Sequence, residues 1–327
     1  MQLFETNYAL ASHNTFGLSS VAQFAKTLNT QEDAIQLANF AHQQGLPFYL
    51  IGTGSNLILR PKISAVVGLM NILGRKLIGS DADHHFIKAS AGEDWPQFVI
   101  WTIKQGFSGL ENLAGIPGTV GAAPVQNIGA YGLELAERLH ALTAYDVKVG
   151  AVVTLSREEC GFSYRNSVFK ATNRYIVLDV TFALPKKWRP VLTYQGLNGE
   201  TFANASAVMD RVLSIRAVKL PDWKILGNTG SFFHNPVVDP DFANGIEGPP
   251  RHLQSDGRVK LSAAWLIDAC GLKGKRIGGA SVYEHHALIL VNLGEATFED
   301  VSLLAKLVQT TVYEQFGVSL VQEPLTF

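Results

Sequence analysis

The spacing of apolar residues predicts several helices. Thr30 and Asp33 form a capping pair, and Gly45 predicts the end of the helix that follows. Its apolar positions recur with helical spacing: Ala34, Ile35, Leu37, Ala38 and Ala41. The same reasoning predicts helices over residues 205–216, 262–270 and 300–316, the last ending at Gly317.

Between these helices the pattern predicts strands. The run "PFYLI" leads into "GTGSN" and then "LILR", which predicts strand, glycine loop and strand. Further β-branched and aromatic runs are "LTAYDVKV", "AVVTL" and "YIVLDVTFAL". Strands and helices do not alternate regularly, so the pattern predicts an α+β fold rather than a doubly wound sheet. After "LPKKWRP", a domain change is expected near 200–205.

Composition narrows the function classes. The 327 residues are 47% hydrophobic and 17% charged, which is typical of two or three well-packed globular units. A net charge of −1 argues against a nucleic-acid partner, and no apolar run reaches the length of a membrane span. Cys160 and Cys270 have no CxxC partner, which excludes a zinc ribbon. We expect no metal, and a cytoplasmic protein without a secretory signal.

The stretch "GLENLAGIPGTVGAAPVQNIGAYG" (109–132) contains six glycines and one charged residue, Glu111. Such a bare backbone indicates left-handed dihedral angles or a ligand lying on the main chain. A purely structural glycine-rich turn is the alternative. "GTGSN" (52–56) could likewise offer N–H groups to a phosphate, although it matches neither a nucleoside-triphosphate loop nor G-x-G-x-x-G. Together the two segments suit one long ligand with a central pyrophosphate.

Three polar residues stand in unusual surroundings. Arg165 lies between aromatic residues in "FSYRNSVFK", where it could clamp a carboxylate or make a surface salt bridge. Ser231 follows Gly230 in "GNTGSFFHNP" and could be a reactive hydroxyl or a turn residue. Glu323 has apolar neighbours in "LVQEPLTF", where burial would raise its pKa, or it is a solvated glutamate. No GxSxG or HExxH motif supports a hydrolase or a zinc enzyme.

These segments occur together in a recognisable order: "HNTFG", "GTGSN", the 109–132 stretch, "YRNSVFK", "KLPDWKILGNTGSFFHNP", "VKLSAAWLIDACGLKG" and the late Glu323. In this order the chain resembles the UDP-N-acetylenolpyruvoylglucosamine reductase (MurB) family of flavoenzymes. The resemblance runs from about residue 13 to the C-terminus.

The resemblance implies an FAD-binding module of the vanillyl-alcohol-oxidase type in two subdomains, 1–67 and 68–204. A substrate-binding domain would cover 205–316, with the tail 317–327 returning to the first subdomain. FAD would bind non-covalently along the two glycine segments. The cofactor-binding residues expected are Gly52, Thr53, Gly54, Ser55, Asn56, Gly115, Ile116, Pro117, Gly118, Gly121, Ala122, Ala123, Gln126, Gly129 and Tyr131.

The implied reaction reduces an enolpyruvyl ether to a lactyl ether on UDP-N-acetylglucosamine, with NADPH as co-substrate, in peptidoglycan synthesis. By resemblance, Arg165 stabilises charge on the pyruvyl carboxylate, Glu323 lies near it, and Ser231 protonates carbon. Substrate-binding residues expected by resemblance are Tyr194, on a mobile loop of the family's first type, Arg216, Lys219, Asn235, His252 and His286. Tyr194 packed permanently in a hairpin is the alternative. We expect a monomer whose partners are the UDP-sugar and NADPH.

Three places depart from the pattern of the family's first type, and one of them is "LVQE" (320–323), which replaces the commoner "LEPE". His252 stands where a tyrosine is usual, and His286 stands where a glutamine is usual. They put individual substrate contacts in question rather than the chemistry. Two other functions stay open: an FAD-dependent oxidase of the same superfamily, and a nucleotide-binding protein without redox activity. An oxidase has no need of a proton donor such as Ser231. A nucleotide-binding protein without redox activity would be colourless after reconstitution with FAD.

Overall fold

The computed structural model describes residues 4–254 and 256–327. The chain divides into two compact units. Unit 1 contains the residues up to Tyr8, then 22–53 and 64–218, and unit 2 contains 9–21, 54–63 and 219–327. Each unit is therefore built from separate stretches of the chain. The subdomain boundaries implied by the resemblance stay a prediction.

The first sheet of unit 1 is four-stranded, with the order β1-β2-β5-β3. Its strands are β1 (Glu5–Ala9), β2 (Val21–Leu28), β3 (Phe48–Ile51) and β5 (Lys62–Met70). Helix α1 (Gln31–Gln44) begins at the reciprocal Thr30–Asp33 capping box and ends at Gly45 in the left-handed conformation. Its buried face packs in a core with Leu28 and Val66, so the predicted helix and its caps are confirmed.

The second sheet of unit 1 is five-stranded, with the order β11-β10-β12-β7-β6. Its strands are β6 (Arg75–Ser80), β7 (His84–Ser90), β10 (Leu139–Asp146), β11 (Ala151–Ser156) and β12 (Tyr175–Pro185), and a small hairpin is formed by β8 (Gly129–Ala130) and β9 (Leu133–Glu134). Three helices belong to this part: α2 (Trp95–Lys104), α3 (Val168–Ala171) and α4 (Ala205–Lys219). Trp95, Phe98 and Phe182 form the aromatic centre of its core.

Unit 2 contains a four-stranded sheet of order β13-β19-β18-β17 and a three-stranded sheet of order β14-β16-β15. The strands are β13 (Gly227–Ser231), β14 (Val237–Val238), β15 (Arg251–Leu253), β16 (Val259–Leu261), β17 (Arg276–Ile277), β18 (Ala280–Val282) and β19 (Ile289–Asn292). The helices are α5 (Pro240–Asn244), α6 (Ala263–Ala269) and α7 (Phe298–Phe316). The tail strand β20 (Leu325–Thr326) pairs in parallel with β4 (Leu57–Ile58).

The structure bears out the predicted elements at 47–51, 142–155, 175–184, 205–216, 262–270 and 300–316. Helix α2 was not predicted, although its buried residues recur with helical spacing, because the half-buried Ile100, Trp101 and Ile103 are apolar too and obscure that spacing in the sequence. Its start is nevertheless capped, since the Asp94 carboxylate accepts from Gln97 N–H. Short 3-10 helices lie at Ala11–His13, Glu111–Leu113 and Leu135–Glu137.

Candidate active site

The "GTGSN" loop follows β3, as predicted, and its first two residues belong to unit 1. A Cβ placed on Gly52 would lie 2.6 Å from Thr119 Oγ1, so only glycine packs there without a shift. The Thr53 hydroxyl is buried and has no hydrogen-bond partner among the residues that the structure describes. Buried hydroxyl groups are normally satisfied, so an unpaired one marks a place where a ligand acceptor is expected.

The rest of this loop belongs to unit 2. Gly54 adopts a left-handed conformation with φ 67°, and a Cβ there would collide with the His13 carbonyl. Its own carbonyl accepts from Thr15 N–H at 3.2 Å, which ties the loop to the predicted "HNTFG" motif. Ser55 is half-buried, and the Asn56 carbonyl accepts from Leu325 N–H at 2.9 Å. The backbone conformation here depends on glycine.

The second glycine segment is held in unit 1 by backbone hydrogen bonds around the start of α2. Trp95 N–H donates to the Gly118 carbonyl, Val120 N–H to the Glu93 carbonyl and Gly121 N–H to the Ala91 carbonyl. Gly115 has φ 69° and Gly118 has φ 146°, values that other residues rarely adopt. Residues 115–118, including Ile116 and Pro117, are half-buried while their neighbours on both sides are buried. A partly accessible stretch of backbone therefore lies between buried anchors.

The segment continues through a series of turns to Tyr131. Ala122 is exposed, Ala123 and Gln126 are buried, and Gly129 opens the β8–β9 hairpin. Asn127 was missed by sequence reasoning, although its buried amide bonds to Glu134 Oε2 at 2.8 Å and accepts from Ala136 N–H at 2.9 Å. Asn127 itself has a positive φ of 43°, which asparagine tolerates better than most residues.

A second missed residue, Asn112, links two predicted binding segments. Its buried Nδ2 donates to the Tyr131 carbonyl and to the Val191 carbonyl, each at 2.8 Å. Tyr194, three residues after Val191, packs edge to face on Tyr131 with ring centroids 4.8 Å apart. The structure therefore brings the tyrosine loop onto the end of the glycine segment. Because its partners are distant in the sequence, no local pattern indicates that Asn112 connects these two segments.

Arg165 also contacts this segment. Its guanidinium donates from Nη2 to the Gly129 carbonyl at 2.8 Å and lies over the Tyr164 ring at 5.2 Å from the centroid. Its φ of 54° is unusual for a residue with a side chain. Backbone strain of this kind is concentrated at functional sites. This contact argues against the alternative of a surface salt bridge, because the half-buried guanidinium is hydrogen-bonded to the backbone of the glycine segment.

Arg216 contacts the glycine segment from α4. A Cβ placed on Gly115 would lie 3.2 Å from its Nε. Burial lowers the pKa of Arg216 from its usual range, while the Tyr131 hydroxyl hydrogen-bonded to it acts in the opposite direction. The Tyr131 pKa is raised, chiefly by burial. Arginine stays protonated in proteins, so a cation is held beside Gly115 and Tyr131. Arg216, expected from the resemblance to bind substrate, therefore contacts Gly115 and Tyr131, two residues expected to bind FAD.

Ser231 and Glu323 lie close together in unit 2. Ser231 ends β13, where a register shift after Asn228 and a left-handed Gly230 interrupt the ladder with β19. Such bulges redirect side chains next to active sites. Phe232 follows, and its carbonyl accepts from Glu323 N–H at 2.9 Å. The chain's tail thus pairs with the residues directly after Ser231.

Four expected substrate-binding residues belong to unit 2, namely Asn235, His286, Lys219 and His252. The Asn235 side-chain oxygen accepts from Ala263 N–H at 2.9 Å, so it holds the start of α6. His286 Nδ1 accepts from Leu288 N–H at 3.3 Å. The His286 pKa lies below its ordinary value, first because of burial and then because of the positive charges of Lys219 and Lys273. Exposed Lys219 is therefore placed near His286.

His252, the fourth of these expected residues, lies on a strand that contains none of the other three. It lies exposed in β15, opposite Lys260 in the ladder with β16.

No group of three or more potential metal ligands occurs in residues 4–254 and 256–327. Within the same residues no helix has the length and apolarity needed to cross a bilayer.

Comparisons with known proteins agree with this arrangement. Residues 22–156 match the FAD binding domain family, and residues 221–327 match the C-terminal domain of UDP-N-acetylenolpyruvoylglucosamine reductase. The chain is 44% identical to the UDP-N-acetylenolpyruvoylglucosamine reductase of Paraburkholderia xenovorans, over 98% of this chain and 97% of the relative. It is also 44% identical to that of Bdellovibrio bacteriovorus, over 98% of each chain.

This protein belongs to the UDP-N-acetylenolpyruvoylglucosamine reductase family. Among solved structures, the enzyme from Thermus caldophilus matches with a TM-score of 0.71 and 27% identity, over 97% of each chain. The predicted family, the α+β fold with an FAD-binding module, the flavoenzyme class and the FAD cofactor are confirmed. The roles of individual site residues stay predictions.

Proposed function

We propose that this protein reduces the enolpyruvyl ether of UDP-N-acetylglucosamine to the lactyl ether, consuming NADPH and one proton. The family relationship over nearly the whole chain carries the proposal. The reaction adds a hydride to the methylene carbon of the double bond and a proton to the neighbouring carbon. NADPH is converted to NADP+, so atoms and electrons balance. FAD, when bound, accepts the hydride equivalent from NADPH and passes it to the substrate.

The residues present fit a bound flavin dinucleotide. The buried Thr53 hydroxyl needs an acceptor, which a pyrophosphate oxygen would supply. The partly accessible backbone of residues 115–118 adopts conformations that depend on Gly115 and Gly118. Arg216, which the resemblance assigns to the substrate, would instead place its cation beside the flavin dinucleotide, since it contacts Gly115 and Tyr131. These residues would bind and orient the flavin.

The substrate carboxylate is assigned to Arg165. Negative charge develops on the enolpyruvyl group as the hydride arrives, and it spreads into the carboxylate. A guanidinium held by the Gly129 carbonyl, with the Tyr164 ring beneath it, has little freedom left to lose on binding. Such a preorganised cation stabilises the developing charge more than the starting charge, which is what accelerates the reaction.

The proton is assigned to Ser231. A serine hydroxyl is a weak acid in water, so the site must place it at the carbon and stabilise its alkoxide. The interrupted β13 ladder and the left-handed Gly230 fix its position, and the Glu323 N–H donates to the carbonyl of Phe232, the next residue. We assign Glu323 a role near the substrate carboxylate.

Lys219, His286 and Asn235 are assigned to the diphosphate and its surroundings. Because His286 Nδ1 accepts from a backbone N–H, its Nε2 carries the proton in the neutral ring. That N–H is a donor in the place where the family has a glutamine amide. We assign Tyr194 to the nucleotide end of the substrate. The protein would act in the cytoplasm as a monomer.

The deciding experiment separates the two halves of the reaction. Purified protein should show a flavin absorbance band, which NADPH bleaches under anaerobic conditions. The enolpyruvyl substrate should then restore the band with formation of the lactyl product. UDP-N-acetylglucosamine, which lacks the enolpyruvyl group, is the control and should restore nothing. Rapid recovery with oxygen but none with the substrate would identify an oxidase instead. A colourless protein after FAD reconstitution would exclude both.

A further inference from the structure

The residue at issue is His234, three positions after Ser231. His234 Nε2 lies 3.9 Å from Glu323 Oε2, and the two side chains carry opposite charges only when the imidazole is protonated. This separation is longer than a direct hydrogen bond. Catalytic contacts are often long before substrate binds and shorten in the complex. The two side chains therefore face each other without a direct hydrogen bond between Nε2 and Oε2.

The strand register explains why these two side chains meet. Phe233 lies opposite Gln322 in an antiparallel bridge. Two hydrogen bonds flank the bridge, from His234 N–H to the Val321 carbonyl and from Glu323 N–H to the Phe232 carbonyl, each at 2.9 Å. In this register His234 and Glu323 are diagonal neighbours on one face of the ladder, within reach of long side chains.

The surroundings of the pair make its interaction significant. The side chains of His234 and Glu323 are 18% and 17% exposed. Phe232 and Phe233, between Ser231 and His234, are 0% and 1% exposed and pack edge to face. Exclusion of water lowers the effective dielectric constant and strengthens an electrostatic contact.

The chain contains a matched exposed pair for comparison. His285 Nε2 lies 3.4 Å from Glu284 Oε1, but these side chains are 67% and 73% exposed. Solvent screens the attraction between the two side chains of such a pair, and exposed ion pairs contribute little to stability. We therefore expect the sheltered contact of His234 with Glu323, although it is longer, to influence its glutamate more strongly than the exposed contact of His285 with Glu284 does.

From this geometry we infer that His234 is a positioning residue that acts through Glu323 in the substrate half-reaction. The imidazole faces the Glu323 carboxylate and restricts the rotation of that side chain, on the tail segment that is bridged to the residues after Ser231. This inference rests on the proposed function, in which Glu323 lies at the substrate carboxylate. It adds a residue that sequence reasoning did not select.

The test replaces His234 and follows flavin absorbance in rapid mixing. His234→Leu should slow reoxidation by the enolpyruvyl substrate by about tenfold, the lower end of the range for removing an outer partner of a site residue. Reduction by NADPH and the melting temperature should change little. His234→Gln, which keeps an N–H near the position of Nε2, should recover most of the rate. His285→Leu is the matched control and should leave both halves unchanged.

A double-mutant cycle with Glu323→Gln shows whether His234 acts through the glutamate. If it does, His234→Leu should add almost nothing in the Glu323→Gln background. An equal tenfold loss in both backgrounds, or a His234→Leu variant as fast as the wild type, would overturn the inference alone. His234→Phe, which keeps a flat ring without nitrogen, replaces His234→Leu if the leucine variant does not melt cooperatively. If the substrate fails to reoxidise the wild-type flavin, the proposed function falls, and the inference with it.

Discussion

The glycine segment of unit 1 and the Ser231 region of unit 2 are built in different ways. Residues 115–121 are positioned by backbone hydrogen bonds to residues 91–95 and by positive φ angles at Gly115 and Gly118. In unit 2, a broken strand ladder and a paired tail position the side chains of Ser231, His234 and Glu323. One region presents main chain, and the other presents functional groups.

This difference explains where substitutions are tolerated. A backbone surface fails when a side chain is added, because the left-handed conformations have no low-energy alternative. A side-chain surface accepts replacements that keep the same donor in place. The three departures from the family pattern, His252, His286 and "LVQE" (320–323), all lie in unit 2. We therefore predict that substitutions in the glycine segment abolish flavin binding and activity, whereas substitutions in the Ser231 region lower activity by degrees.

The largest effect is expected at Gly118. Gly118→Leu would force a side chain into a conformation with φ 146° and displace the backbone expected under FAD. Flavin should be lost and both half-reactions abolished, as measured by the absorbance of the purified protein. Gly74→Leu is the matched control, because Gly74 has φ 138° in the same unit but lies outside the glycine segment. Full flavin occupancy in Gly118→Leu would contradict the placement of the cofactor.

Next comes the hydroxyl group of Ser231. Ser231→Ala should slow flavin reoxidation by the enolpyruvyl substrate by about 10²–10⁴-fold, the range for loss of a positioned general acid. Reduction by NADPH should remain close to wild type, and rapid-mixing absorbance follows each half separately. Ser231→Cys keeps a proton donor and should recover part of the rate.

A neighbouring serine provides the control for this experiment. Ser281 lies in β18 of the same sheet, and its hydroxyl donates to the Lys275 carbonyl at 3.3 Å. Ser281→Ala should slow neither half-reaction. If Ser231→Ala slows both halves alike, the serine is structural and Glu323 becomes the next proton donor to test.

A smaller effect is expected at Tyr194, on the loop that packs against Tyr131. Tyr194→Ala should raise the substrate KM by about tenfold, which corresponds to about 1.4 kcal/mol, with flavin reduction by NADPH less affected. Tyr175, which packs edge to face on Phe169, is the control. Tyr175→Ala should lower the melting temperature without raising KM. If Tyr194→Ala does the same, Tyr194 is only a packing residue.

The smallest effect concerns His286 and the pH dependence of stability. Burial, with the nearby charges of Lys219 and Lys273, holds the pKa of folded His286 below its ordinary value of 6.5. The unfolded chain therefore binds a proton more readily, and the folded state loses stability as pH falls below about 6.5. His286→Gln should reduce that loss between pH 7.5 and 5.5 in urea unfolding. His285→Gln, at an exposed position, should retain it. Equal losses in both variants would contradict the assignment.

Local sequence was sufficient for much of the framework. The Thr30–Asp33 box, Gly45 and Gly317 predicted helix ends that the structure confirms, because capping involves residues a few positions apart. The glycine-rich run predicted left-handed conformations, and the structure has them at Gly115 and Gly118. Helix α2 escaped prediction, since the half-buried residues outside its core face, Ile100, Trp101 and Ile103, are also apolar and weaken the contrast between its faces.

The sequence by itself therefore determined the caps, the glycine conformations and, through the order of its motifs, the family. Tertiary structure alone decided which distant residues meet. Asn112 bonds to the carbonyls of Tyr131 and Val191, Arg216 pairs with Tyr131, and His234 faces Glu323. Each contact depends on strand register or on helix packing between segments far apart in the chain. The pattern within one segment can specify which face is buried, but it does not identify the distant segment that pairs with it, and a shift of one residue in that pairing changes every partner.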